Sequence, residues 1–203
     1  MRTYNSPRRK DAAEATRAAI LEASRRLFVS EGYEKVTVAD IAKAARVAVP
    51  TVYGSTGGKA AILEAVLKPA VEDPVVGQTL AAVAATDDPA EIIAAVAAGT
   101  RQNHERHWDL VWALYRHALA EPCAVALNNE ARESYLAALA AVVDRLVALD
   151  ALKLDRDEAV DVLWFYLGRP GWHIMVGDRG WDFDRAEVWL SAQARQALLR
   201  TPC

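Results

Sequence analysis

Gly32-Tyr33-Glu34-Lys35-Val36-Thr37-Val38-Ala39-Asp40-Ile41-Ala42-Lys43-Ala44-Ala45-Arg46-Val47-Ala48-Val49-Pro50-Thr51-Val52-Tyr53 is the stretch whose reading decides the fold. Thr37 and Asp40 have the spacing of a capping box: the hydroxyl bonds a backbone N–H one turn in, and the carboxylate bonds back. A helix therefore opens at Thr37, with Val38, Ile41, Ala42 and Ala45 on its inner stripe. Arg46-Val47-Ala48 is a short linker. Val49-Pro50 opens the next helix, because proline's missing N–H would be unpaired in a first turn anyway. Two short helices joined this way, behind a supporting helix, make a helix-turn-helix.

The supporting helix runs from about Asp11 to Glu31. Its Ile20, Ala23, Leu27 and Phe28 share one face, and Gly32 stops it. Downstream, Gly54 to Gly58 loosens the chain. A fourth helix follows from about Lys59 to Lys68, with Ile62, Leu63, Val66 and Leu67 facing inward and Pro69 and Pro74 marking its end.

The remainder reads as a helical bundle. Helices are expected near 75–85, 89–103, 107–119, 124–149, 155–168 and 184–200, with a further short turn from Trp172 to Val176. Asp184-Arg185-Ala186-Glu187 has the form of a second capping box. No period-2 strand pattern stands out. The expected fold is all-α: a flexible basic tail over 1–10, a helix-turn-helix domain over 11–68, and a helical bundle over 69–203.

Charge divides the chain in the same way. Residues 1–68 hold 12 Lys and Arg against 7 Asp and Glu, whereas 69–203 hold 12 against 20. A basic first third on an acidic body suits contact with a polyanion, although chance clustering is the simpler alternative. No apolar run reaches the roughly 18 residues that span a bilayer. The basic, polar start lacks the apolar stretch of a signal peptide, so a cytoplasmic location is expected. Cys123 and Cys203 fit no metal or redox spacing.

Major-groove reading needs small or polar side chains at the start of the inserted helix and donors that grip phosphate. Val49, Pro50, Thr51 and Tyr53 supply methyl groups, a hydroxyl and a phenol. Thr37 adds a hydroxyl at a helix N-terminus. Residues 14–68 resemble the DNA-binding domain of the TetR/AcrR family of transcriptional regulators. The resemblance is carried by Ile20-Leu21-Glu22-Ala23, Leu27-Phe28, Glu31-Gly32-Tyr33, Val36-Thr37-Val38, Ile41-Ala42, Val47 through Tyr53, Lys59 and Leu63. It departs at Thr56, where members usually carry an aromatic residue, and in the glycines around it.

The resemblance implies a homodimer placing two recognition helices in successive major grooves of a palindromic double-stranded operator. It implies that Thr37 and Tyr53 grip phosphate, that Pro50 and Thr51 touch base edges or thymine methyls, and that Ser55 and Lys59 contact the backbone. Val38 and Val49 belong to the same expected DNA-binding set. Arg8-Arg9-Lys10 would lie over the minor groove as an arm. Each residue has an ordinary alternative: Tyr53 packs on the first helix, Thr37 only caps, Lys59 is a surface lysine, and the arm is solvated.

All six tryptophans lie between Trp108 and Trp189. Trp108, Trp112 and Tyr115 share a helix stripe, and Trp164 sits on another helix. Aromatic walls with a few polar groups suit a drug-sized ligand, and plain core is the alternative. These four are the expected lining for a small-molecule effector. His104, His107 and His117 lack companion ligands, so no metal and no cofactor is expected. The family places dimerisation on the last two long helices, where Val160, Leu163, Val188, Ala192 and Leu199 are the apolar candidates. No catalytic order of Ser, His and Asp and no phosphate loop is present, so an enzyme or carrier is the weakest reading. An architectural DNA binder without effector is the second. A ligand-responsive regulator, by family default a repressor, leads.

Overall fold

The computed structural model describes residues 7–117 and 122–200. Among the described residues the chain is helical apart from turns and a single bridge between Leu152 and Leu199. The helices are α1 (Pro7–Glu31), α2 (Val38–Ala44), α3 (Val49–Thr56), α4 (Lys59–Val71), α5 (Val75–Ala84), α6 (Pro89–His117), α7 (Pro122–Ala148), α8 (Arg156–Leu167), α9 (Arg169–Trp172) and α10 (Phe183–Leu198). A π-helix spans His173–Asp178. The all-α reading holds. Two compact units form, Met1–Val71 with Asp109–Asn129 and Glu72–Trp108 with Glu130–Cys203, so α6 and α7 contribute to both.

In the first unit, α1 to α4 close around Ile20, Phe28, Ile41, Val52, Ile62 and Leu63, all fully buried. These are the inward positions of four separate helical stripes, and their burial is what holds short helices together. Arg8, Arg9 and Lys10 are helical within α1 rather than an extended arm. Lys10 pairs with Glu14 one turn on, at 3.8 Å. α3 continues through Gly54 to Thr56, so the expected loosening is confined to Gly57 and Gly58. Gly57 has φ +83°, a conformation other side chains resist, and it ends the helix. α4 runs through Pro69 to Val71, a few residues past the expected end.

In the second unit, α8 and α10 pack on each other through Ala159, Leu163, Ala186, Leu190 and Ala194, all essentially buried. Three alanines in that seam let the helices approach closely. Leu163, expected at a dimer interface, is therefore core of its own chain. Val188 is 73% exposed, while Ala192 is exposed and Val160 and Leu199 are half-buried. α5 approaches α6 at Gly99, where a Cβ would stand 1.9 Å from Thr79 Oγ1. Only glycine fits there.

Two local readings are corrected. The break expected near 104–106 does not occur, and α6 is continuous. Asn103-His104-Glu105-Arg106 is polar but holds no proline or glycine, and Arg101 pairs with Glu105 across one turn at 3.3 Å. Glu105 and Arg106 are exposed while His104 turns inward, so the polar run crosses the helix without ending it. The cap of α10 is Asp182, which accepts from the Arg185 N–H at 2.7 Å. Asp184 instead lies inside the helix and pairs with Arg101 at 2.6 Å.

The cap assignment is testable. Asp182→Ala is expected to destabilise the fold by about 1 kcal/mol in urea unfolding, the usual worth of an N-cap carboxylate. Asp184→Ala, which removes an exposed ion pair, is expected to change it by less than about half that.

Candidate nucleic-acid interface and effector site

α2 is held at its start by the expected box. Thr37 Oγ1 accepts from the Asp40 N–H at 3.2 Å, and the Thr37 N–H donates to Asp40 Oδ2 at 2.9 Å. The Thr37 hydroxyl also donates to Asp40 Oδ2 at 2.6 Å, so its only proton is already given to a carboxylate. These bonds hold the Asp40 carboxyl below the usual carboxylate range. The α2–α3 turn passes through Arg46 at φ +57°, uncommon for a residue with a side chain.

α3 divides its faces by spacing. Val52 is buried, and Thr56 one turn on is 7% exposed with its hydroxyl donating to the Val52 carbonyl at 2.9 Å. Thr56, where an aromatic was expected from the resemblance, is thus a small core residue. Val49, Pro50, Thr51 and Tyr53 face outward, with Tyr53 at 55% exposure. Ser55 is half-buried, and its carbonyl accepts from Arg17 Nη1 at 2.6 Å. Arg17 ties the end of α3 to α1, a role that nothing in local sequence signals across 38 residues. Lys59 turns back into its own unit: Nζ lies 4.2 Å over the Tyr33 ring and donates to the Glu34 carbonyl at 3.3 Å. Val38 is half-buried against the core. The structure therefore brings Val49, Pro50, Thr51 and Tyr53 onto one exposed helix, while Ser55 and Lys59 are engaged in holding it.

Of the expected effector residues, Trp108 and Trp164 both pack against the core of the second unit, in different ring contacts. Trp108 meets His173 and Phe183 edge-on at 5.4 and 5.5 Å. Trp164 pairs instead with Tyr135 at 5.6 Å. Trp112 is half-buried in the first unit, and the Tyr115 and His117 side chains lie outside the described residues.

The aromatic group around Trp108 includes residues that were not foreseen as lining. His104, one turn before Trp108, stacks on Trp172 at 5.7 Å and 22°. Trp172 is fully buried and donates Nε1–H to the Leu167 carbonyl at 3.2 Å, an acceptor shared with the Tyr135 hydroxyl at 2.9 Å. The i, i+4 spacing of His104 and Trp108 was the available signal. Burial pushes His104 down to about 4, helped by the charge of Arg169 and then by His107. Burial, then His104 and Arg169, push His173 down to about 3. Both are neutral at pH 7.

Asp73 forms a separate buried cluster. It accepts from the Val75 N–H at 2.9 Å, from Arg106 at 2.6 and 2.7 Å and from His107 Nε2 at 2.8 Å. Burial alone would raise its pKa, but these bonds lower it. His107 is thereby occupied with a carboxylate. No group of three His, Cys, Asp or Glu placed to hold a metal occurs among the described residues.

Residues 20–66 match the model of the bacterial regulatory proteins, tetR family. The chain carries a tetR-family regulatory domain. No curated protein matches the chain in sequence. Solved structures match it over most of its length. A transcriptional regulator from Saccharomonospora viridis, in complex with choline, is 19% identical with TM-score 0.71, covering 91% of this chain and 98% of that one. The TetR-family regulator PfmR from Thermus thermophilus is 23% identical with TM-score 0.67, covering 91% and 96%. SmeT, repressor of the Stenotrophomonas maltophilia efflux pump SmeDEF, is 19% identical with TM-score 0.71, covering 93% and 92%. SmeT also matches as a triclosan complex, at 17% identity, TM-score 0.66 and 92% of each chain. At these identities the likeness establishes the fold. Among the described residues no helix is long and apolar enough to cross a membrane.

The histidines give a pH prediction. Unfolded, each binds a proton below about pH 6.5; folded, both stay neutral down to about 4 and 3. The unfolded state binds more protons in that window, so stability falls as pH drops from 7 towards 4. Each group contributes up to about 1.4 kcal/mol per pH unit. His104→Phe is expected to flatten the acid side of a Tm-against-pH curve. An unchanged slope would contradict a neutral, half-buried His104.

Proposed function

We propose that this protein is a ligand-responsive transcriptional regulator, a homodimer that binds a palindromic operator and releases it on binding a small apolar or aromatic molecule. The observation that carries the reading is the exposed face of α3, with Val49, Pro50, Thr51 and Tyr53 mounted on a buried Val52 inside the matched tetR-family domain. A helix so presented fits the major groove, about 12 Å wide. Its outward groups are mostly methyl and ring carbons, so thymine-methyl contacts and DNA shape carry much of the specificity. Tyr53 and Thr51 supply hydroxyl donors to backbone or bases. Thr37 would contribute only by releasing Asp40, and Lys59 only by leaving the Tyr33 ring.

Dimerisation through a second copy is supported by exposed apolar side chains on α8 and α10, where Phe165 is 57% and Val188 73% exposed. Effector binding is supported by the choline and triclosan complexes of neighbours with this fold. Trp108, Trp112, Tyr115 and Trp164 remain candidates for its lining. The effector would act by its difference in affinity between a state that fits successive grooves, about 34 Å apart, and one that does not.

Binding to the DNA upstream of its own coding region, against a scrambled duplex, at two salt concentrations tests this. Preference for the native duplex is expected, weakening with salt as phosphate contacts are screened. Tyr53→Ala is expected to weaken it at least tenfold with unchanged Tm, since the ring is exposed. Equal weak binding to both duplexes would favour the architectural reading, and no binding would end the DNA-binding one.

A further inference from the structure

His104 has a determined tautomer. Its Nδ1 lies 2.8 Å from the Thr100 carbonyl, which can only accept, so Nδ1 carries the proton. The neutral ring therefore presents Nε2 as a bare acceptor, and no group among the described residues donates to it. One face of the ring is closed by Trp172. Trp172 and His173 are buried, whereas His104, Trp108 and Phe183 keep part of their surface open. The result is an aromatic shelf with one acceptor set into it. A π-helix, rare and common at functional sites, follows directly and carries His173 into the group.

We propose that this shelf is an effector subsite for a planar aromatic ring bearing a hydroxyl, a phenol, which lies against Trp108 and Phe183 and donates its O–H to His104 Nε2. The assignment rests on the regulator reading for its biological role. Bonding selects against other classes. A quaternary ammonium or a plain hydrocarbon has no proton to give and leaves Nε2 without a bond.

The test uses two probes of one shape, 2-naphthol and its methyl ether 2-methoxynaphthalene, with the full-length protein in equilibrium dialysis at pH 7. The naphthol is expected to bind at least tenfold more tightly. In His104→Phe the ratio is expected to fall to about one, with ether affinity kept and Tm no lower at pH 7. Should that variant not fold, nitrogen NMR of histidine-labelled wild type gives the answer instead: naphthol, and not the ether, should shift one unprotonated ring nitrogen. Equal affinities, a preference that survives in His104→Phe, or no binding of either probe overturns the assignment. Operator binding without a naphthol preference overturns it while the regulator reading stands; a preference without DNA binding does the reverse.

Discussion

An eight-residue helix does not persist in water, because the cost of nucleation is not recovered over two turns. α3 is of that length, and everything proposed for the DNA face depends on the interactions that hold it. Val52 is buried, Thr56 bonds back onto its carbonyl, and Arg17 fixes the Ser55 carbonyl from α1. Lys59, at the start of α4, is anchored on Tyr33 and Glu34 just beyond the glycine turn. The exposed face exists because the opposite face is pinned at several points. A reading helix must be rigid before contact, or ordering it subtracts from affinity.

The second unit applies the same economy to aromatic groups. The carbonyl of Leu167, at the end of α8, would be an orphan acceptor of a helix terminus. It receives both the Trp172 indole and the Tyr135 phenol, so a chain end becomes the anchor of two rings. With Trp172 fixed, His104 stacks on it, and the Thr100 carbonyl then sets which imidazole nitrogen is left bare. Burial keeps that ring neutral, so its acceptor persists at ordinary pH.

What was legible in the sequence was local. The Thr37–Asp40 box, Pro50 in a first turn and the stripes of α1, α2 and α4 depend on residues within one or two turns, and all appear as read. Where two local signals competed, reading failed. Asp182 and Asp184 both stand near a helix start, and the extended backbone at Asp182, with ψ 162°, decides between them. The polar run at 103–106 resembled a gap because it interrupts an apolar stripe, yet charged residues are good helix formers. The tie from Arg17 to Ser55 and the gathering of His104, Trp172 and Phe183 depend on chain reversal, which no window of the sequence contains.

The caps also bear on how DNA would be held in the proposed complex. Asp40 lies in the first turn of α2, where it complements the positive end of the helix dipole and accepts the Thr37 hydroxyl hydrogen bond. A phosphate approaching that end meets a carboxylate already in place, so the N-terminus of α2 is a poorer anion site here than an uncharged cap would make it. Lys59 is likewise turned inward onto an aromatic face. The grip then falls to groups that are both exposed and mounted on rigid backbone, and Tyr53 is the largest of these on α3. A phenol donates one hydrogen bond without a full charge, so each such contact releases less counterion than a lysine would. An interface built this way leans on fit to the groove, and its affinity should depend on duplex shape more than on ionic attraction.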